Sequence, residues 1–118
     1  MPVPSREEIR AADGPPGGRP ACCALYHRAV ELVGKRWTGA ILSVLLEGPL
    51  RFSEIKSLVP DLSDRLLSER LKELESEEIV ERRVHNEMPV HVEYALTDKG
   101  RALEPSVCAL QHWAQQWL

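Results

Sequence analysis

The chain has 118 residues, of which 43% are hydrophobic and 28% charged. That is the size and texture of one ordinary globular domain, with no room for a separate catalytic domain. No apolar run approaches the ~18–20 residues of a membrane span, and the net charge of −3 makes binding to a polyanion depend on where the fifteen Lys and Arg residues cluster. The opening Met1-Pro2-Val3-Pro4-Ser5-Arg6-Glu7-Glu8 lacks the basic-then-apolar layout of a secretory signal. A cytoplasmic location is therefore expected, with Cys22, Cys23 and Cys108 held as thiols.

Residues 1–20 carry Pro2, Pro4, Pro15, Pro16 and Pro20 with Gly14, Gly17 and Gly18 and show no sustained apolar period, which predicts a flexible arm. From Ala21, the residues Leu25, Ala29, Leu32 and Val33 recur at helical spacing up to Gly34. A second helix is predicted from about Trp37 to Glu47, burying Trp37, Ala40, Ile41, Val44 and Leu45, with Gly48-Pro49 as its stop. An extended Leu50-Arg51-Phe52 leads to Ser53, which opens a brief helix to about Leu58. Pro60 breaks the chain and Ser63 caps the next helix, predicted to run to about Glu75 or Glu77. On that helix Leu66, Leu67, Leu71 and Leu74 share one arc, while Asp64, Arg65, Ser68, Glu69 and Lys72 share the other. Arg70 falls within the apolar arc and is expected to snorkel and pair with a carboxylate.

Residues 79–85 and 90–96 both alternate and are separated by Asn86-Glu87-Met88-Pro89, a β-hairpin pattern. Val90, Val92, Tyr94 and Leu96 are expected to meet the core, leaving His91 and Glu93 outside. Parity groups Arg82 with Val80 and Val84, an expected structural role, and puts Arg83 with His85 on the opposite face. Thr97 is predicted to cap a last segment, about 97–118, which Pro105 bends or restarts. In it Leu103, Val107, Leu110, Ala114 and Trp117 repeat at spacings of four and three, a narrow stripe suited to pairing with the helix of a partner.

Helix, helix, short strand, helix, helix, hairpin, helix is the order of a winged helix-turn-helix, a mainly α fold with one small hairpin. In such a fold the helix after Ser63 can enter a DNA major groove about 12 Å wide. The hairpin is the wing, and Arg82, Arg83, His85, Asn86 and His91 cluster where a wing meets DNA, with Arg83 the expected phosphate contact. Ser53, Ser63, Asp64, Arg65, Ser68, Glu69 and Lys72 complete the candidate DNA-binding set. Lys35-Arg36 is read as charge at a helix end.

Five stretches stand in a telling order: Gly34-Lys35-Arg36-Trp37, Gly48-Pro49-Leu50-Arg51-Phe52-Ser53-Glu54-Ile55, Leu62-Ser63-Asp64-Arg65-Leu66-Leu67-Ser68-Glu69-Arg70-Leu71, Pro89-Val90-His91-Val92-Glu93-Tyr94-Ala95-Leu96-Thr97 and Gly100-Arg101. In them the chain resembles a known group, the HxlR-type winged-helix regulators, which are relatives of the MarR group. The resemblance covers about Cys22 to Leu118. It implies a domain over residues 21–118, a homodimer joined through terminal helices, and a transcription factor that reads an inverted repeat in double-stranded DNA. Some members of the group sense oxidants or electrophiles through a cysteine before the first helix, which makes Cys22 and Cys23 redox candidates, and Cys108, a thiol expected on the polar face of the last helix with Glu104, Gln111 and Gln115, is a third. A small molecule between the subunits, against Trp113 and Trp117, is the other effector considered. Two departures stand out: Cys22-Cys23 replaces a lone Cys followed by Pro, and Glu78 replaces a Gly before the wing. A Glu there has to avoid positive φ or bear a steric cost, so a differently shaped helix end is expected.

Other classes fit less well. The sequence has no Gly-rich phosphate loop, nucleophile elbow or helical metal-ligand pair, so an enzyme is not expected, nor any cofactor. Adjacent Cys22-Cys23 is not a Cys-x-x-Cys pair, and the four histidines are spread along the chain and are not expected to converge, so no metal site is expected. The rival reading is a winged-helix module that contacts only other proteins, which the acidic balance would suit.

Overall fold

The computed structural model describes residues 3–8 and 21–118, and the chain divides into two compact units, Met1–Leu32 and Val33–Leu118. Most of the expected arm lies outside the described residues. Within it, Ser5 and Glu8 form a reciprocal cap, Glu8 N–H donating to Ser5 Oγ at 3.1 Å and Ser5 N–H to Glu8 Oε2 at 3.3 Å. Residues 6–8 are accordingly helical. Helix α1, Ala24–Val33, starts where the Cys23 carbonyl accepts from His27 N–H at 3.0 Å. None of its side chains is buried, and Leu25 and Tyr26 are exposed.

In the second unit the order is α2 (Thr38–Leu45), β1 (Leu50–Arg51), α3 (Phe52–Leu58), α4 (Asp64–Ser76), β2 (Val80–His85), β3 (His91–Leu96), α5 (Asp98–Arg101) and α6 (Glu104–Trp117). The three strands form an antiparallel sheet in the order β1-β3-β2. Trp37 precedes α2 with φ 76, and the Arg36 guanidinium lies 5.1 Å from its ring centroid. Trp37 is therefore half-buried and at a left-handed turn, not within the core as expected. The buried set of α2 is Thr38, Ile41, Leu42 and Leu45. Ile41, Leu42 and Leu45 with Ile55, Leu62, Leu67, Leu71, Leu74, Ile79, Val80 and Leu96 make one apolar core, with the polar Thr38 buried beside it, each large apolar side chain contributing about 1.5–3 kcal/mol by its removal from water.

Ser63 caps α4 as the sequence indicates, its Oγ accepting from Leu66 N–H at 3.1 Å. The other end of α4 corrects an expectation. Glu78 adopts φ 60, Ile79 N–H donates to Leu74 O and Glu78 N–H to Glu75 O, both at 2.9 Å. This is the Schellman ending that a Gly would give. Three ties hold Glu in the left-handed conformation: Thr97 Oγ1 donates to Glu78 O at 2.6 Å, Lys99 Nζ donates to Glu77 O at 2.6 Å, and Ile79 is buried beneath.

The hairpin departs from simple alternation. At its base Ala95 and Leu96 are both buried, because helices α2, α3 and α5 all approach the central strand β3. Towards its tip the hairpin runs past the helices, so Val84 and Val90 are exposed and Val92 and Tyr94 only half-buried. Arg82 is likewise exposed rather than structural. The final segment is broken as Pro105 suggests. Thr97 caps the single turn of α5, accepting from Gly100 N–H at 3.2 Å, and α6 begins afresh with Pro105 in its first turn.

Candidate nucleic-acid interface

Helix α4 buries Leu67, Leu71 and Leu74 and turns Asp64, Arg65, Glu69 and Lys72 to solvent, with Ser68 half-buried between the two faces. Asp64 is paired with Lys56 Nζ at 3.5 Å, and the same ammonium donates to the Leu62 carbonyl. That partly neutralises the carboxylate at the helix N-terminus. Arg65 Nε lies 3.2 Å from Glu69 Oε1, but the Arg65 side chain is 90% exposed. An exposed i,i+4 pair is worth about 0.3–0.5 kcal/mol, so exchanging Glu69 for an external acceptor costs little. Lys72 makes no ion pair among the described residues.

Arg70 points the other way. Its side chain is 16% exposed, Nη1 lies 3.1 Å from Glu73 Oε1, and Nε donates to the Arg36 carbonyl at 3.2 Å. Glu73 also meets Lys35 Nζ at 3.3 Å. Arg70, Glu73 and Lys35 thus tie α4 to the turn before α2, the snorkelling role expected of Arg70. Ser53 sits exposed in the first turn of α3, where Glu54 Oε1 accepts from Arg51 N–H at 2.8 Å and starts the helix one residue early, at Phe52.

On the wing, Arg83 pairs with Glu81, Nη2 to Oε1 at 2.6 Å, with both side chains about half exposed. Arg82 is exposed without an ion partner among the described residues, as a wing residue and not in the structural role that its parity with Val80 and Val84 suggests. Asn86 is exposed at the tip. The expected wing histidines behave differently. His85 and His91 are register partners across the hairpin, and their rings stack with centroids 4.7 Å apart and planes 16° from parallel. Both face Glu93, with His85 Nε2 3.2 Å from Oε2 and His91 Nε2 3.4 Å from Oε1. Two of the four histidines therefore converge, against expectation, and Glu93 stands with them instead of outside. The hairpin register was the signal: strands that close on a turn at residues 86–90 bring positions 85 and 91 face to face.

The three cysteines are free and exposed. On α6 the expected stripe is split. Leu103, Val107 and Ala114 are half-buried, while Leu110 is 67% and Trp117 70% exposed, with Trp113 exposed beside them. Gln111 Nε2 donates to Ser43 Oγ at 2.8 Å and fixes α6 on α2. No helix among the described residues is long and apolar enough to cross a membrane.

These elements have close counterparts. Residues 32–118 match the model of the HxlR-like helix-turn-helix family. The HTH-type transcriptional regulator YvaP of Bacillus subtilis is 50% identical over 96 residues, spanning 81% of this chain and 89% of the relative. YodB, an HTH-type transcriptional regulator of the same organism, is 50% identical over 95 residues, 80% of this chain and 85% of its own. The reduced form of YodB superposes with a TM-score of 0.75 at 49% identity, covering 82% of this chain and 95% of that one. The redox regulator HypR in its reduced form gives a TM-score of 0.74 at 33% identity, covering 79% and 92%. The capped helix α4, the wing and the restarted terminal helix are thus those of a transcriptional regulator, and the chain belongs to the HxlR-like helix-turn-helix family.

Proposed function

We propose that the protein is a dimeric, cytoplasmic repressor that binds an inverted repeat in double-stranded DNA, with α4 reading bases and the wing holding phosphates. The observation that carries this reading is the solvent-facing side of α4, where Arg65 and Lys72 are exposed and only weakly committed within the chain. A guanidinium there can make a bidentate contact to guanine, and Arg82 and Arg83 on the wing can neutralise backbone charge. Asp64 is partly screened by Lys56, which lessens its repulsion of phosphate.

Dimerisation rests on the exposed apolar residues of the terminal helices, Leu25 and Tyr26 on α1 and Leu110, Trp113 and Trp117 on α6. Exposed apolar rows of this kind mark interaction surfaces, and a two-fold dimer would set two copies of α4 on successive major grooves. Selection from a random duplex pool tests the reading. The enriched sequences are expected to be inverted repeats with half-sites about 10 bp apart or a multiple of that. Arg65→Ala is expected to relax one position by about 1–3 kcal/mol, whereas Arg83→Ala weakens all duplexes alike. Enrichment of no sequence would favour the alternative, a winged helix that contacts only proteins.

Cysteine oxidation is the input signal we favour. Its support is the exposure of Cys22, Cys23 and Cys108, together with relatives studied in a diamide-treated form and a quinone-bound form, both of YodB. A bridge from Cys22 or Cys23 to Cys108 of the other protomer would fix the angle between the two reading helices. Diamide treatment followed by non-reducing electrophoresis is expected to give a cross-linked dimer that Cys108→Ser abolishes. An uncross-linked chain with unchanged DNA affinity would leave the small-molecule effector at Trp113 and Trp117 as the better reading.

A further inference from the structure

We propose that His85, His91 and Glu93 form a site on the wing for one divalent transition-metal ion, zinc by the chemistry of its donors, which clips strands β2 and β3 together. The three side chains place ligand atoms within 4.8 Å of one another. Tetrahedral zinc with bonds of about 2.0–2.1 Å needs ligand atoms roughly 3.3 Å apart. His85 Nε2 lies 3.2 Å from Glu93 Oε2 and His91 Nε2 3.4 Å from Oε1, so a turn of the partly exposed carboxylate would present one oxygen to both nitrogens at about that spacing. The remaining imidazole-to-imidazole distance closes by rotation of two partly exposed rings. Two imidazoles and one carboxylate suit zinc and its neighbours in the transition series and suit calcium or magnesium poorly. The fourth position is open to water, since all three side chains are only partly buried.

Hydrogen bonding gives the second observation. His91 Nδ1 lies 3.1 Å from the Pro89 carbonyl oxygen while Nε2 faces the Glu93 carboxylate, so both ring nitrogens of His91 meet acceptors. A neutral ring carries one proton and satisfies one of them. With Nδ1–H donating to Pro89, the Nε2 lone pair is left for a cation, the arrangement in which a backbone carbonyl orients a metal-bound histidine. His85 Nε2 is shielded from solvent and, although 3.2 Å from Glu93 Oε2, is not aligned for a hydrogen bond and has no such partner among the described residues. One ion between the three would give a partner to each of these nitrogens and to one carboxylate oxygen, leaving a fourth position for water. The two stacked rings are joined across the hairpin by register, so the ion would cross-link the wing strands next to the turn, where apolar cover has run out.

The test uses the full chain with Cys22, Cys23 and Cys108 changed to Ser, so that thiols do not compete, stripped of metal by a chelator. Zn²⁺ is titrated against a chromophoric chelator, and Co²⁺ is added as a spectroscopic probe. One ion per chain is expected, with visible d–d bands of four-coordinate Co²⁺. His85→Phe and His91→Phe, which keep an aromatic ring in the stack, and Glu93→Gln should each weaken binding at least about 10–100-fold, the loss seen on removing even an outer-shell partner. His27→Ala and His112→Ala should bind like the parent. Ring-proton NMR of the unmutated histidines provides a readout that does not depend on a variant's fold: Zn²⁺ should shift the resonances of His85 and His91 and leave those of His27 and His112 in place. Binding no tighter than that of the His91→Phe chain, or shifts confined to His27 and His112, would overturn the site.

Discussion

Arg70→Ala separates a structural arginine from a DNA-reading one on the same helix. In the structure the substitution removes a donor from the Arg36 carbonyl, breaks the 3.1 Å contact to Glu73 and deletes a side chain that is only 16% exposed. The hydrogen bond to the Arg36 carbonyl is exposed, so although the donor is charged it contributes only about 0.5–1.5 kcal/mol. The pair with Glu73 counts for less than about 1 kcal/mol, because that carboxylate is 35% exposed and keeps Lys35 at 3.3 Å. Allowing for overlap between these terms, and about 1 kcal/mol for burial of the stem, the expected loss is roughly 1–3 kcal/mol. At about 4–8 °C per kcal/mol for a domain of this size, the melting temperature should fall by roughly 5–20 °C. Arg70→Met, which keeps the stem, should lose about 1 kcal/mol less. The assay is calorimetric melting at one fixed chain concentration, paired with operator binding well below the transition, where sequence preference should be unchanged. An Arg70→Ala chain that melts like the parent but no longer discriminates its operator would refute this account of α4.

Further substitutions probe the joints around the site. A Cβ at Gly100 would run into the Ile79 carbonyl oxygen, which also accepts from Thr97 N–H at 3.0 Å, so Gly100→Ala should destabilise by about 1–3 kcal/mol, measured by denaturant unfolding. Glu78→Gly relieves a left-handed conformation at φ 60 that costs roughly 1–2 kcal/mol, offset by the extra freedom of Gly in the unfolded chain. A net gain of up to about 1 kcal/mol is expected, and a loss would show that the Glu78 side chain contributes to the joint. Leu110→Asp places a charge in the proposed dimer face and should shift the chain to monomer by light scattering at micromolar concentration, while a persistent dimer would move the interface elsewhere.

Much of this was legible before any coordinates. Ser63 and Thr97 are capping residues whose hydroxyls do what their positions imply, and Pro105 restarts a helix because it cannot donate an N–H within one. The arc of Leu67, Leu71 and Leu74 on α4 is visible from a 3.6-residue period alone. What the pattern concealed depends on tertiary surroundings. Alternation marks the two faces of the hairpin but not where the helices that cover them stop, so parity groups Val90 with the core residues and Arg82 with Val80 although the hairpin has left the core by then. Local propensity argues against a left-handed Glu78, yet Thr97 and Lys99, about twenty residues on, hold it there. The convergence of His85, His91 and Glu93 required the hairpin register, a pairing that composition does not carry. The stripe on α6 was right in its spacing, but part of it is used within the chain, leaving Leu110, Trp113 and Trp117 as the outward set.

The central claim is that this winged helix binds duplex DNA with sequence preference, and salt-dependent affinity tests it most directly. Fluorescence anisotropy of the full chain with its selected operator and with a scrambled duplex should be followed over a range of salt concentrations. Tighter binding to the operator is expected throughout, with log affinity falling linearly with log salt at about 0.9 per phosphate neutralised. Arg83→Ala should make that slope shallower by about 1, and Arg65→Ala should narrow the gap between the two duplexes. Affinity equal for both duplexes at every salt concentration, or no binding at low salt, would contradict it.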